Sequence, residues 1–324
     1  MPKRCVVKCM IAAGLAAVNA GFVWGQDYPH KPIRIVTDGA GGGNDIVSRV
    51  ITQGLTLTGT LGQQVIVENR AGGSGAIASD AVAKAAPDGY TLLVYSNTLW
   101  TLPFIRKVPY DVGKDFSPIT SATTAPNLLV VHPSLPVKSV KELIALAKAR
   151  PGELNFCSGA LGSSPHLAGE LFKIMAGVNM VHILYAGGAR AIIGLLGGEV
   201  QMFFATVQGV IPHVKSGRLR AVAVTSATPF VLAPGVPTIA ATLPGFETGQ
   251  VIGVYAPAKT PEAIINRLNQ EIVRVLERAD VKERFLGLGV EATPSSPEQF
   301  AAMMKTDMAK MGKLIKDAGI RVEQ

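Results

Sequence analysis

Ile33-Arg34-Ile35-Val36-Thr37-Asp38-Gly39-Ala40-Gly41-Gly42-Gly43-Asn44-Asp45 is a β-branched run that stops abruptly in a glycine cluster. Ile46, Val47, Val50, Ile51 and Leu55 follow with helical spacing. Strand, glycine loop and helix start predict a turn that leaves backbone N–H groups unpaired, with the positive end of a helix dipole behind them. Such a turn receives anions.

The pattern recurs outward from this stretch. Gln63–Arg70 reads as a second strand, running into Ala71-Gly72-Gly73-Ser74-Gly75 and an Ala-rich helix from Ala76 to Ala85. Pro87-Asp88-Gly89 turns the chain into strand Tyr90–Tyr95, which ends at the loop Ser96-Asn97-Thr98. Further strands are expected at Leu128–Val131, Leu154–Cys157, Met180–Leu184, Val200–Ala205 and Ala221–Thr225. Ser139 with Glu142 forms a capping box for a helix through Lys148, and Ser164 with Pro165 starts another. Gly187-Gly188 precedes a helix from Ala189 to Leu196. In the tail, Thr260-Pro261 and Ser296-Pro297 open two amphipathic helices, with Ile264, Leu268, Ile272 and Val275 on one stripe and Phe300, Met304, Met311 and Ile315 on the other. Apolar, non-alternating strands between helices predict α/β lobes with mostly parallel sheets covered on both faces. Ligands of such sheets bind at the carboxyl ends of the strands.

At 324 residues the chain is long for one core, so two domains are expected. Lys3, Arg4 and Lys8 before an apolar, Ala-rich stretch read as a cleaved signal peptide over residues 1–25, which predicts a periplasmic protein. Its removal lowers the formal net charge from +8 by three, to +5, and leaves Cys157 as the one cysteine, so no intrachain disulfide can form. The remaining positive charge is scattered and aromatic content is 6%, which argues against nucleic-acid binding.

Enzyme readings are weaker. Gly73-Ser74-Gly75-Ala76-Ile77-Ala78 fits a dinucleotide fingerprint, but the next strand ends in Ser96-Asn97 without the acid that holds a ribose. No glycine loop is followed by Lys-Ser or Lys-Thr, so a P-loop is excluded. A hydrolase built on Ser163 or Ser164 with His166 is the alternative function, although the sequence around them is not a nucleophile elbow and the His166 ring is expected to face solvent or the surface. The five histidines have no metal-ligand spacing.

A family resemblance rests on many short motifs in one order. Gly41-Gly42-Gly43-Asn44-Asp45 with Arg49, Val67-Glu68-Asn69-Arg70, Ala86-Pro87-Asp88-Gly89-Tyr90-Thr91-Leu92 and Ser163-Ser164-Pro165-His166-Leu167-Ala168-Gly169-Glu170 open the series. Leu195-Leu196-Gly197-Gly198, Gly217-Arg218-Leu219-Arg220-Ala221, Val236-Pro237-Thr238 and Pro244-Gly245-Phe246-Glu247 continue it. The chain thereby resembles the periplasmic solute-binding receptors of tripartite tricarboxylate transporters, the Bug receptors. The resemblance implies a two-lobed, Venus-flytrap binding protein of type II, a small carboxylate as cargo, no catalysis and no cofactor. It also implies membrane subunits of such a transporter as partners, or a sensing role, and a monomer. Lobe 1 is expected over residues 26–124 plus 252–324 and lobe 2 over 125–251, with crossings near Thr123–Asn127 and Thr248–Ile252.

The candidate ligand-binding set is Thr37, Gly41, Gly42, Gly43, Asn44, Asp45, Ser96 and Asn97 from the first lobe, with Ser163, Ser164, Tyr185, Gly187, Gly188, Arg190 and Thr206 from the second. Several positions depart from the family pattern. Asp38 stands where apolar or proline residues are usual, Tyr185-Ala186-Gly187-Gly188-Ala189-Arg190 replaces Tyr-Lys-Gly-Gly-x-Pro, and Phe203-Phe204-Ala205-Thr206 lacks the usual Asp. The lost acid and added Phe point to a less polar carboxylate, and Arg190 to a second carboxylate on it. Asp38 pulls the other way, because a carboxylate beside a bound anion is unfavourable unless it meets a donor.

Overall fold

The computed structural model describes residues 28–317 and 319–320, so the expected signal segment lies outside the described residues. The chain begins as β1 (Ile33–Thr37), α1 (Gly43–Thr58), β2 (Val65–Asn69), α2 (Ala76–Ala83) and β3 (Thr91–Ser96), three parallel strands joined by helices. Short helices α3 (Thr98–Thr101) and α4 (Val112–Asp115) lead into the long strand β4 (Phe116–Val131). A second set follows: α5 (Val140–Ala149), β5 (Asn155–Ser158), α6 (Ser164–Ala176), β6 (Val181–Leu184), α7 (Gly188–Leu196), β7 (Met202–Thr206), α8 (Val207–Lys215) and β8 (Arg220–Val224). The chain then returns through β9 (Gly249–Pro257), α9 (Glu262–Glu277), α10 (Ala279–Gly287), β10 (Glu291–Ala292) and α11 (Pro297–Asp317).

The strands run in the order β2-β1-β3-β9-β4-β7-β5-β6, with β8 and β10 also pairing to β4. The parallel units expected from the sequence occupy the two ends, β2-β1-β3 and β7-β5-β6. At the centre the pairing is antiparallel, because β4 and β9 run against each other and β4 runs against β7 and β8. The sheet is therefore mixed. Strand β4 serves both ends: Phe116–Pro126 pairs with β9, and Asn127–Val131 pairs with β7.

Alternate residues explain why these strands read as continuous apolar runs. Ile33, Ile35, Leu92 and Val94 enter one core with α1 and α9, whereas Val36, Leu93 and Tyr95 enter another with Trp100, Phe300 and Met304. In the other half, Leu129, Val131, Phe156 and Phe204 face α5 and α6, while Leu128, Val130, Cys157 and Phe203 face α7 and α8. Each such side chain contributes about 1.5–3 kcal/mol when fully buried.

Three expectations shift. Strand β4 starts at Phe116 rather than Leu128, because the polar run Thr120-Ser121-Ala122-Thr123 is buried yet satisfied. Thr120 Oγ1 donates to the Ser295 carbonyl at 2.9 Å, and Ser121 Oγ donates to that of Thr293. Helix α6 starts one residue earlier than expected, with Ser163 rather than Ser164 at its N-cap. Helix α8 and strand β9 have no counterpart in the sequence reading. The segments 123–127 and 248–252, where the crossings are expected, pair with each other as strand, Ala125 against Gln250, which leaves that expectation as it stands.

Candidate functional site

The opening loop is held open by a carboxylate that faces away from the cleft. Gly41 adopts φ +77°, which glycine reaches without cost, and its N–H donates to Asp45 Oδ2 at 2.9 Å. Asp45 also accepts from Arg49 Nε at 3.0 Å and Asn69 Nδ2 at 2.8 Å. Burial pushes this carboxyl up, but the bonds from Arg49, Gly41 and Asn69 outweigh it and hold the group below the usual carboxylate range. Thr37 turns inward as well, its Oγ1 donating to the Val94 carbonyl at 2.9 Å.

Four helices begin at the space these residues frame. Gly42, Ser163, Gly187 and Thr206 are the N-caps of α1, α6, α7 and α8, and none of them caps its helix with a side chain. By contrast, Ser139 caps α5, and Ser296 with Gln299 forms the reciprocal capping box expected for α11. Uncapped first-turn N–H groups are donors without acceptors. Each helix end stabilises an anion by about 0.3–1 kcal/mol, and by up to about 2 when partly buried.

The cleft between them encloses about 590 Å³ of empty space, its open mouth included. Of the candidate residues, Gly41, Gly42, Gly43, Asn44, Ser96, Ser163, Gly188 and Thr206 line it. Asp45, Thr37 and Asn97 do not; Asn97 donates to the Gly249 carbonyl at 3.2 Å and supports the wall from behind. Ser164 is likewise turned away, donating to Asn127 Oδ1 at 2.6 Å. Tyr185 and Gly187 line an outer chamber with Ser74 and Arg106, and Arg190 is exposed outside both spaces. Residues outside the candidate set complete the cleft, among them Tyr95, Thr98, Gly159, Ile192, Phe203 and Gln250. Strand alternation points Phe203 out of the sheet opposite Phe204, which the sequence alone permitted; Gln250 sits on β9, which it did not reveal.

Close approaches join the two walls. A Cβ on Gly43 would collide with the Gln208 amide at the start of α8 on the opposite wall; within that second wall, one on Gly159 would collide with the backbone of Gly187 and Gly188. Leu161 N–H donates to Ser74 Oγ across the cleft at 3.0 Å.

A family model described as tripartite tricarboxylate transporter family receptor matches residues 47–320. The chain belongs to this receptor family. Over 98% of its length it is 36% identical to Protein BugT of Bordetella pertussis, covering 99% of that protein. Rpa4515 of R. palustris, solved with adipate, superposes with a TM-score of 0.88 at 34% identity, over 91% of this chain and all of that one. MatC of Rhodopseudomonas palustris, solved with bound malate, gives 0.83 at 28% identity, over 89% of this chain and all of that one.

In this receptor the serines are not paired with a base. Ser163 Oγ donates to the Ala160 carbonyl at 2.7 Å and Ser164 Oγ to Asn127, so neither meets an imidazole. His166 is buried rather than facing the surface as expected. Its Nδ1 accepts from the Gly162 N–H at 3.1 Å, and its ring lies 4.4 Å from that of His182. Burial, with the charges of His182 and Lys173 adding to it, pulls His166 down to about 3. Burial and Lys173 pull His182 down to about 4. These rings are neutral struts beneath the Gly162-Ser163 turn, and the hydrolase alternative has no support in the geometry.

Asp38 occupies the wall between cleft and outer chamber. Burial, opposed by a bond from Asn44 and reinforced by the charge of Asp45, pushes its carboxyl up to about 6.

Proposed function

We propose that this receptor captures a small organic carboxylate in the cleft, with the carboxylate taken by the first-turn N–H groups of α1, α6, α7 and α8. The observation that carries the reading is the convergence of four helix N-termini without side-chain caps on one cavity. Adipate and malate, found in the two similar structures, are small dicarboxylates of the size such a cavity holds. Gly41, Gly42, Gly43, Asn44, Ser96, Ser163, Gly188 and Thr206 contact the ligand in this reading. Thr37, Asp45, Asn97 and Ser164 hold that wall, and Tyr185, Gly187 and Arg190 lie at its entrance.

The chain works as two lobes, residues 26–124 plus 252–324 and residues 125–251, that close on the cargo about the paired strands β4 and β9. Ligand touching both lobes favours the closed form and shifts the population towards it. A leader over residues 1–25 delivers a non-catalytic monomer to the periplasm, where the closed shape is read by transporter membrane subunits or by a sensing partner. Calorimetric titration of the purified chain against mono-, di- and aromatic carboxylates tests the reading. Trp100 reports the same event by fluorescence, because it is buried on α3, next to the Ser96-Asn97 wall, and its indole N–H donates to Asp307 at 2.6 Å. Absence of binding by every carboxylate at millimolar concentration would sink it.

A further inference from the structure

Two residues that line the cleft each carry a buried oxygen for which the described residues supply no donor. Asp38 Oδ2 accepts from Asn44 Nδ2 at 3.1 Å, but Asp38 Oδ1 has no hydrogen-bond partner among the described residues. Asn44 Oδ1, on the other side of the same pair, is equally buried and equally unpartnered. Both residues line the cleft, and none of the ion pairs among the described residues includes Asp38. A buried acceptor left unmet costs free energy, which is why such groups in folded proteins almost always have partners.

The site is thereby polarised. The helix N-termini offer donors to an anion, and beside the first of them stand acceptors with nothing to accept. An unsubstituted carboxylate would satisfy the donors and leave Asp38 Oδ1 and Asn44 Oδ1 empty, with its own charge held against that of Asp38. An ionised Asp38 can only accept, and the Asn44 amide is oriented by its bond to Asp38, which turns its oxygen to the far side. We propose that Asp38 and Asn44 accept hydrogen bonds from a hydroxyl or ammonium group on the cargo, so that the receptor selects carboxylates bearing such a donor over their unsubstituted counterparts. This selection rests on the carboxylate reading above and assigns its specificity to Asp38, a position at which this chain departs from the pattern it otherwise resembles.

The test is calorimetric titration with matched sets: propionate, lactate and alanine; succinate, malate and aspartate; benzoate and its 2-hydroxy and 2-amino derivatives. Each set is run on the wild-type chain and on Asp38→Asn, which keeps the shape but places an N–H donor where an acceptor is needed. In the set that binds, the hydroxy or amino member binds the wild-type chain at least about tenfold more tightly than the bare member, and Asp38→Asn brings the ratio close to one. Which of the two substituted members wins identifies the donor. Equal binding within a set, tighter binding of the bare member, or a preference that survives in Asp38→Asn overturns the inference and leaves the carboxylate reading standing. Failure of every compound to bind overturns both. The wild-type ratios decide the question even where the variant does not fold.

Discussion

At the scale of single residues, the two acids flanking the first glycine cluster have opposite roles. Asp45 is fully partnered and structural; Asp38 is half-partnered and faces the cleft. The raised pKa of Asp38 carries a sign. Its folded value, about 6, lies above the unfolded one, so its protonated form contributes stability at low pH that is lost as pH rises through about 6. Without ligand, Asp38→Asn is therefore expected to unfold at a higher temperature than the wild-type chain at pH 7.5, by the equivalent of about 1–3 kcal/mol, and to match it near pH 4. Thermal melts across that range check this, and a constant difference would contradict it. Asp45→Ala should lose about 1.5–3 kcal/mol at neutral pH, because three donors are released at once. None of this division was legible beforehand. Asp38 and Asp45 bracket the same loop in sequence, and only the fold shows which one meets Asn69 and Arg49 and which one meets the cavity.

Among elements, the helix starts were the most readable features and the seam strands the least. Capping signals placed α5 and α11 correctly because their satisfaction is local, within three residues. Strand β4 was half missed because Thr120 and Ser121 are satisfied by the segment before α11, 175 residues away for the bond from Thr120 to Ser295. The turn before α6 gives a second pH effect of opposite sign. His166 and His182 are held neutral, with folded values of about 3 and about 4 below the unfolded 6.5, so stability falls as pH drops below about 6.5. The unfolding midpoint should therefore decline between pH 6.5 and 4, and His182→Gln should flatten the decline. Gly159→Ala tests the packing of β5 against α7: its methyl would meet the Gly187-Gly188 backbone, with an expected loss of about 1–3 kcal/mol and of carboxylate binding.

For the whole molecule, the contact across the cleft should govern affinity without governing stability. Ser74 accepts the Leu161 N–H from the opposite wall and sits at φ 53°, where glycine is at ease. Ser74→Gly removes that contact without backbone strain, so it should weaken carboxylate binding about 3–10-fold in calorimetry while leaving the unfolding midpoint within a degree or two. The two-lobed α/β fold could be read from the sequence because buried strands and glycine turns recur at both ends of the sheet. The exact cavity lining could not, because Tyr95, Gly159 and Gln250 come from distant parts of the chain that only the tertiary fold brings together.

The return of the chain through β9 also orders the folding reaction. The core around β5, β7, α5 and α6 draws on one continuous stretch, whereas the core around β1 and β3 waits for β9 and α9 from beyond residue 248. Long loops must close before that second core forms, so it is the slower to assemble and the last to be completed as a nascent chain lengthens. From residue 28 onward each half of the sheet carries one reporter: Cys157, buried with its thiol pushed up to about 12 in the core against α7 and α8, which also draws on one continuous stretch, and Trp100, packed with Phe300 and Met304 of α11, which arrive last. During refolding, protection of Cys157 from a thiol reagent should precede the fluorescence change of Trp100.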